Sequence, residues 1–316
     1  MPKWSSTLCA DAGTEYCPCY LAEVGRCVNC SLLSEGSKCE CEWTGICIYA
    51  EFNFNSKASR LPRSEFQASV AAKTTVGRST IVLSLAVPRF MAKQLRSPGS
   101  FLFLKPASRP HFFDVPLSVM QVSEDNSQVH FAVQIVGAKT HALDQEREAF
   151  VARGPFFTGL LGLSNIKMPA DEVLIVAKGV SQGRAVHTAC YLARRGANVT
   201  MATGPGPVRA IFAPDFLDEP NVMVTELPMK PDHSRQDIAD LMSSQKWDLI
   251  MSAGPDIQHR MISTLASEFA PEARLAYTNN ALMCCGEGIC GACETAIGES
   301  QVRVCKGMPD TEMITF

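Results

Sequence analysis

Thirteen of the fourteen cysteines in this 316-residue chain are gathered near its two ends, and no other feature narrows the possible folds as much. Eight fall between Cys9 and Cys47, five between Cys284 and Cys305, and Cys190 stands alone. In a reducing compartment such clusters are metal sites more often than disulfides. The opening Met1-Pro2-Lys3-Trp4-Ser5-Ser6-Thr7 runs into cysteines without the apolar stretch of a secretory signal. No apolar run approaches the ~20 residues that a bilayer span needs. With a net charge of −3 and no long basic run, neither nucleic acid nor an anionic membrane is indicated as a partner. The expectation is a soluble, cytoplasmic protein with metal modules flanking an ordinary globular core.

That core divides by pattern. Residues 1–58 are cysteine-rich and poor in aliphatics, so metal rather than apolar burial is expected to hold them. Residues 59–168 carry short strand-like runs separated by Pro and Gly: 81–87, 101–104, and 129–136 with a period near two. This is the signature of a small antiparallel barrel. Residues 169–272 change rhythm. Val173–Ala177 is a continuous apolar run of the kind buried in parallel sheets. A helix from Ala185 to Arg195, strands at 198–201, 222–224 and 248–251, and helices at 234–245 (N-capped by Ser234) and 257–269 alternate as βαβ units do. The apolar segment Phe156–Leu163 reads as a linker between the two halves or as a partner surface. Cys190 reads as a small core residue of its helix.

Residues 273–316 hold the most specific motif. Cys285, Cys290, Cys293 and Cys305 are spaced C-x4-C-x2-C-x11-C, the plant-type [2Fe–2S] arrangement of three close thiolates and a distant fourth. The intervening glycines suit a loop that wraps a compact cluster and turns its N–H groups toward sulfur. Cys284 is an alternative first ligand, at the poorer spacing C-x5-C. Four thiolates also suit zinc, although zinc sites usually pair two C-x2-C units and only one occurs here.

In Met283–Cys293, Cys305-Lys306-Gly307, and Ser252-Ala253-Gly254-Pro255 before a helix, the chain resembles the electron-transfer subunit of dihydroorotate dehydrogenase. It is similar also to the small subunit of NADH-dependent ferredoxin:NADP oxidoreductase, both of the ferredoxin-NADP reductase superfamily. The resemblance covers roughly residues 65–316. It implies an FAD-binding barrel, then an NAD(P)-binding α/β domain, then a [2Fe–2S] loop ligated by Cys285, Cys290, Cys293 and Cys305. It further implies that the flavin is contacted by Pro116, Leu117 and Ser118, by Gly137 and Thr140, and near Gly154. Val115 stands where the family has an arginine, and Arg109 lies close enough in sequence to substitute. The implied partner is a larger flavoprotein or iron–sulfur oxidoreductase subunit. A flavin belongs between a nicotinamide and a one-electron cluster, because it accepts a hydride and releases electrons singly.

Gly179-Val180-Ser181-Gln182-Gly183 lies between a buried strand and a helix, where backbone N–H groups can receive a pyrophosphate. Gly204, Arg209 and Gly254 are the other candidate nucleotide contacts, and Arg209 would favour a 2′-phosphate. The same pentapeptide also matches G-x-S-x-G, the nucleophile elbow, with Ser181 as nucleophile and Asp256 and His259 following in order. A structural turn without ligand is the third reading. For Cys9, Cys17, Cys19, Cys27, Cys30, Cys39, Cys41 and Cys47 the candidates are zinc, a [4Fe–4S] cluster, one of each, or a disulfide knot. A non-redox alternative for the whole chain is a metal-bearing scaffold whose flavin and nucleotide pockets have decayed.

Overall fold

The computed structural model describes residues 7–227, 231–297, 300–314 and 316. Seven strands form an antiparallel sheet curled as a half-barrel. They are β1 (Glu65–Thr75), β2 (Thr80–Ala86), β3 (Phe101–Pro106), β4 (Val115–Ser118), β5 (Gln121–Val122), β6 (Gln128–Gln134) and β7 (Ala149–Phe156). Their order is β4-β3-β7-β1-β2-β6-β5. The alternation seen in the sequence is literal in β6, where Val129, Phe131 and Val133 are buried and their neighbours half-exposed. Those side chains meet Leu83, Leu85, Leu102, Leu104 and Phe150 in the barrel core.

The second sheet is built from β8 (Leu160–Leu161), β9 (Glu172–Lys178), β10 (Asn198–Gly204), β11 (Val222–Glu226), β12 (Leu249–Ala253) and β13 (Arg274–Thr278). Its order is β11-β10-β9-β12-β13-β8, parallel except for β8. Three helices cover it: α1 (Gln182–Ala193), α2 (Pro231–Ser243) and α3 (Asp256–Phe269). Val173, Ile175 and Ala177 of β9 pack against Ala185, Val186 and Ala189 of α1. Leu174 and Val176 face the other way, onto Ile238 and Met242 of α2 and Ile262 and Leu265 of α3. Burial on both faces is why β9 reads as an unbroken apolar run.

Two sequence expectations change here. Ser234 does not cap α2 but lies within it, because the helix begins at Pro231, a residue whose fixed φ and missing N–H suit a first helical position. Phe156–Leu163 is neither a plain linker nor an open partner surface. Phe156 ends β7, and Leu160–Leu161 pairs antiparallel with Tyr277–Thr278 as the edge of the second sheet. The glycines of that stretch permit a close crossing, since a Cβ on Gly159 would stand 2.6 Å from the Gly99 carbonyl oxygen.

The cysteine-rich start is tied to the chain's end: Thr7–Cys9 pairs antiparallel with Gly307–Pro309. It also has a small apolar core of its own, formed by Ala22, Cys30, Leu33, Ile48 and Phe52 with Trp43 packed against it. Apolar burial therefore assists whatever the thiols do. Among the described residues no helix is long and apolar enough to cross a membrane.

Candidate functional site: the C-terminal thiols and the barrel edge

Cys285, Cys290, Cys293 and Cys305 come together. The four thiols shift one another's acidity, Cys305 acting on Cys285 and Cys293, and Cys285 on Cys290. The Cys305 thiol, aided by backbone N–H groups, holds Cys285 down to about 4 and Cys293 down to about 7. Cys305 itself is pushed up, first by those two thiols and then by burial. The Glu287 amide donates to the Cys285 sulfur at 3.3 Å. Gly286, Gly288 and Gly291 all have positive φ (73°, 74° and 76°), which lets so short a loop fold around its own sulfurs. Cys284 is exposed and takes no part in these thiol contacts. All fourteen cysteines are free thiols.

Among the described residues no three cysteine, histidine, aspartate or glutamate side chains form a ready-made site for one metal ion. Four thiols gathered by one short loop would suit a two-iron cluster, which divides its four thiolates between two metals, and the Glu287 amide at the Cys285 sulfur is a contact of the kind such a cluster receives. When bound, such a cluster takes up and returns one electron at a time.

The loop is seated on the barrel. A Cβ on Gly286 would lie 2.4 Å from the Phe156 ring, so the backbone rests directly on that ring. Arg153 of β7 donates to the Cys285 carbonyl at 2.9 Å and lies over Phe103, 4.6 Å from its centroid. Phe101 and Phe156 stack at 5.1 Å, and Phe103 meets Phe156 edge-on at 5.2 Å. Phe101 is the register partner of both Phe156 and Ser118. Ser118, Phe101 and Phe156 thus form one row across three strands, and Ser118 is two strand spacings, about 10 Å, from the ring under the thiol loop.

Beneath the loop lies a buried knot of four charges that sequence reasoning missed. Arg63 pairs with Asp11 at 2.5 Å and with Glu287 at 3.1 Å; Lys306 pairs with Asp11 at 2.5 Å and with Glu287 at 2.7 Å. The guanidinium also donates to the Pro155 carbonyl and sits over the rings of Tyr16 and Phe156. Burial alone would raise the Asp11 pKa, but Lys306 and Arg63 outweigh it and hold the carboxyl below its usual range. The only sequence signal was adjacency, with Lys306 after Cys305 and Glu287 inside the motif.

The residues expected to hold flavin lie on one side of the barrel. Pro116, Leu117 and Ser118 occupy β4. Ser118 borders a small cavity with Gly99, Ser100, Gly159, Arg184 and His187. A larger cleft of about 450 Å³ shares His187 with it and runs between the barrel residues Arg96, Met120 and Gln121 on one side and Tyr191 of α1 and the following Arg194 on the other. Gly137 opens the helix Ala138–Gln145, and a Cβ there would meet nothing within 4 Å, so ligand could approach. The Thr140 hydroxyl accepts from the Val136 and Gly137 amides, which closes that turn. Gly154, at φ 158°, packs beneath Leu102 and Phe156. Arg109 lies over Phe113, 5.1 Å from the ring centroid. These positions offer the Ser118 hydroxyl and an unobstructed backbone turn at Gly137.

The nucleotide candidates gather at the C-terminal ends of β9, β10 and β12, beside the point where strand order reverses. Much of this crevice is filled by the chain itself. Gln182 is fully buried, accepts from the Phe212 and Ala213 amides and donates to the Ala210 carbonyl. Gly183 packs α1 onto the barrel, where a Cβ would come within 2.9 Å of Ala132. The Gln258 side chain crowds Gly254, 2.5 Å from where a Cβ would be. Gly204 retains space, and Arg209 is exposed. The nucleophile-elbow reading is not assembled. Buried His259 bonds Ser252 at 2.8 Å and the Thr278 carbonyl at 3.0 Å, Asp256 bonds Asn280, and among the described residues no hydrogen bond joins either to Ser181.

Half-barrel, parallel sheet and terminal thiol loop together make a ferredoxin-reductase-like fold. The resemblance seen in the sequence has matches of the same kind among characterised proteins. The chain is 23% identical over 194 residues to a probable dihydroorotate dehydrogenase B (NAD(+)) electron transfer subunit of Methanocaldococcus jannaschii, covering 58% of this chain and 70% of that one. It is 23% identical over 224 residues to the electron transfer subunit homolog of Thermotoga maritima, covering 70% and 77%. Among solved structures, an NADH-dependent reduced ferredoxin-NADP oxidoreductase matches 75% of this chain and 85% of its own, with TM-score 0.61 and 21% identity. Phthalate dioxygenase reductase matches 78% and 95%, with TM-score 0.52 and 14% identity. No protein-family model matches the chain.

Proposed function

We propose that this chain is the electron-transfer subunit of an NAD(P)H-linked flavoenzyme, carrying FAD against β4 and a [2Fe–2S] cluster on Cys285, Cys290, Cys293 and Cys305. The observation that supports it best is the row Ser118–Phe101–Phe156 with the thiol loop resting on Phe156. It supports the reading because the strand proposed to contact flavin and the thiol loop proposed to hold the cluster lie about two strand spacings apart, across packed aromatic side chains. Ser118 and the unobstructed helix start at Gly137 would contact the flavin. Bound there, a flavin would supply the exchange between the electron pairs of a nicotinamide hydride and the single electrons of a cluster. Exposed Cys290 and Ile289 at the loop tip leave that edge open to a larger flavoprotein or iron–sulfur subunit.

The test is a visible and EPR spectrum of anaerobically purified protein, with flavin, iron, sulfide and zinc assayed on the same sample. One flavin per chain with at least two iron atoms, and bleaching by NADH or NADPH, is the expected result. Zinc without iron would overturn the reading, and iron without flavin would favour the scaffold. The crowding of the crevice by Gln182 and Gln258 makes the NADH and NADPH titrations the sharper part of the test.

A further inference from the structure

The cleft of about 450 Å³ between the barrel and α1 has no part in the proposed electron path. Neither Ser118 nor Gly137 lines it, nor does any of the nucleotide candidates. It runs along the second half of α1, whereas those candidates gather beside the helix's first turn. At 1.5 Å of rise per residue, Arg194 stands roughly 16 Å along the axis from Gly183. The helix wall is periodic: His187, Cys190, Tyr191 and the capping Arg194 recur at i, i+3, i+4 and i+7, and so share one face. Opposite them stand Met120 and Val122, which with Cys190 are buried and make the floor apolar. His187 is only 7% exposed, and its Nε2 finds no hydrogen-bond partner among the described residues.

The rim carries charge of one sign. Arg96 comes from the barrel side, and Arg194 and Arg195 from the end of α1. Arg194 Nε pairs with Glu219 at 2.7 Å. Arg96 meets neutral acceptors instead: its Nε donates to Asn126 Oδ1 at 2.7 Å, and its Nη2 to the Ser123 and Glu124 carbonyls at 2.6 and 3.2 Å. Those bonds fix the guanidinium in place and leave Nη1 unused, so little ordering remains to oppose a ligand. Arg195 lies over the Tyr191 ring, 5.4 Å from its centroid, and its Nη2 reaches the Lys167 carbonyl at 3.4 Å. Among the described residues Glu219 is the only carboxylate paired with any of the three, which leaves the charge of two guanidiniums unbalanced. A single carboxylate matches one guanidinium fork. A phosphate monoester is close to doubly charged at neutral pH and has three acceptor oxygens, so it matches two or three.

We propose that this cleft binds a small organic phosphate, with the phosphate held by Arg96, Arg194 and Arg195 and an apolar or aromatic body packed among Tyr191, Met120 and Val122. Such a ligand touches Arg96 on the barrel side and the end of α1 on the other, so it bridges the two halves of the molecule. The apolar floor rewards the body and the arginine rim rewards the phosphate, and neither part alone uses the whole cleft.

The test uses the full-length protein as purified, with phenyl phosphate as the probe and inorganic phosphate, benzoate and phenol as comparisons. Binding is measured by titration calorimetry and located by hydrogen exchange. Phenyl phosphate should bind saturably and more tightly than all three comparisons, with protection rising at residues 120–122 and 187–195. Arg96→Gln and Arg195→Gln should each weaken it by about tenfold, the loss expected for a charge-assisted hydrogen bond. Benzoate binding as well as phenyl phosphate would overturn the choice of phosphate, and inorganic phosphate binding as well would overturn the role of the apolar floor. Protection at residues 204–209 instead would place the phosphate in the nucleotide crevice and refute the assignment, as would the absence of saturable binding. Arg96 also braces the turn at 123–126, so if Arg96→Gln folds poorly, the exposed Arg195 and the wild-type exchange map decide.

Discussion

Replacing Asp11 by Asn tests whether the buried charges hold the two ends of the chain together. Side-chain exposure is 2% for Arg63, 4% for Asp11, 1% for Lys306 and 13% for Glu287, and two positive charges balance two negative ones. Asp11→Asn leaves Arg63 and Lys306 facing Glu287 alone, an unbalanced charge with little water to screen it. Removing one partner of a buried pair costs about 3–5 kcal/mol. Because a multidomain chain need not unfold in one step, the readout should be local. The Ala10 amide, bonded to the Lys306 carbonyl at 2.8 Å, reports directly on this junction. Its hydrogen-exchange protection should fall by roughly two to three and a half orders of magnitude, at about 1.4 kcal/mol per tenfold. Asp11→Asn with Lys306→Met restores neutrality around Arg63 and Glu287 and should recover much of the loss. The sign with pH follows from the lowered Asp11 pKa: its contribution is complete above the unfolded value of about 3.9 and is lost as pH falls through the folded value. A single-variant change below tenfold, or a double variant no better protected than the single, would refute the reasoning.

Other consequences follow from the same geometry. Gly286→Val places a branched side chain at φ 73° and into the Phe156 ring, so iron at the C-terminal site should be lost while the barrel's circular dichroism persists; retained iron would contradict the docking. Cys285→Ser should abolish the [2Fe–2S] EPR signal and Cys284→Ser should leave it, and the opposite outcome would move the first ligand by one residue. Burial holds His187 and His259 down to about 4, against about 6.5 in an unfolded chain. Their stabilising contribution is therefore complete above about 6.5 and is lost as pH falls toward 4. His259→Gln should flatten that acid limb in a plot of Tm against pH, and an unchanged limb would count against the burial argument.

The parts that were legible in the sequence are those written in local pattern. Val173–Ala177 announces a strand covered on both faces, and β6 announces one covered on one face, because side-chain burial repeats with the backbone's own period. The C-terminal thiols were legible as a group because Cys285, Cys290 and Cys293 fall within one short glycine-rich loop. What stayed hidden depends on distance along the chain. Asp11, Arg63, Glu287 and Lys306 are spread over 295 positions, and nothing local marks any of them as buried. Phe156 reads as part of an apolar linker until the fold sets it under Gly286. The glycine turn is ambiguous for a related reason: Gly183 and Gln182 serve helix–barrel and loop packing, which a short motif does not distinguish from ligand binding.

Those hidden contacts also bear on how the modules are coupled. Arg63 touches Asp11 from the cysteine-rich start, the Pro155 carbonyl from the barrel and Glu287 from the thiol loop, so one side chain joins three segments. Lys306 extends the junction, following Cys305 in sequence and pairing with Asp11 and Glu287. A thiolate-bound metal centre carries net negative charge, and a buried cation beside one in the C-terminal loop would lower the energy of an electron residing there. Removing one cation should therefore shift the C-terminal cluster to a more negative potential, beyond any effect on stability. Lys306→Met tests this against Lys306→Met with Asp11→Asn, in which loss of the carboxylate offsets loss of the ammonium and the potential should return toward wild type. A potential unchanged from wild type in Lys306→Met alone would mean that the knot fastens the modules together without tuning the electron path.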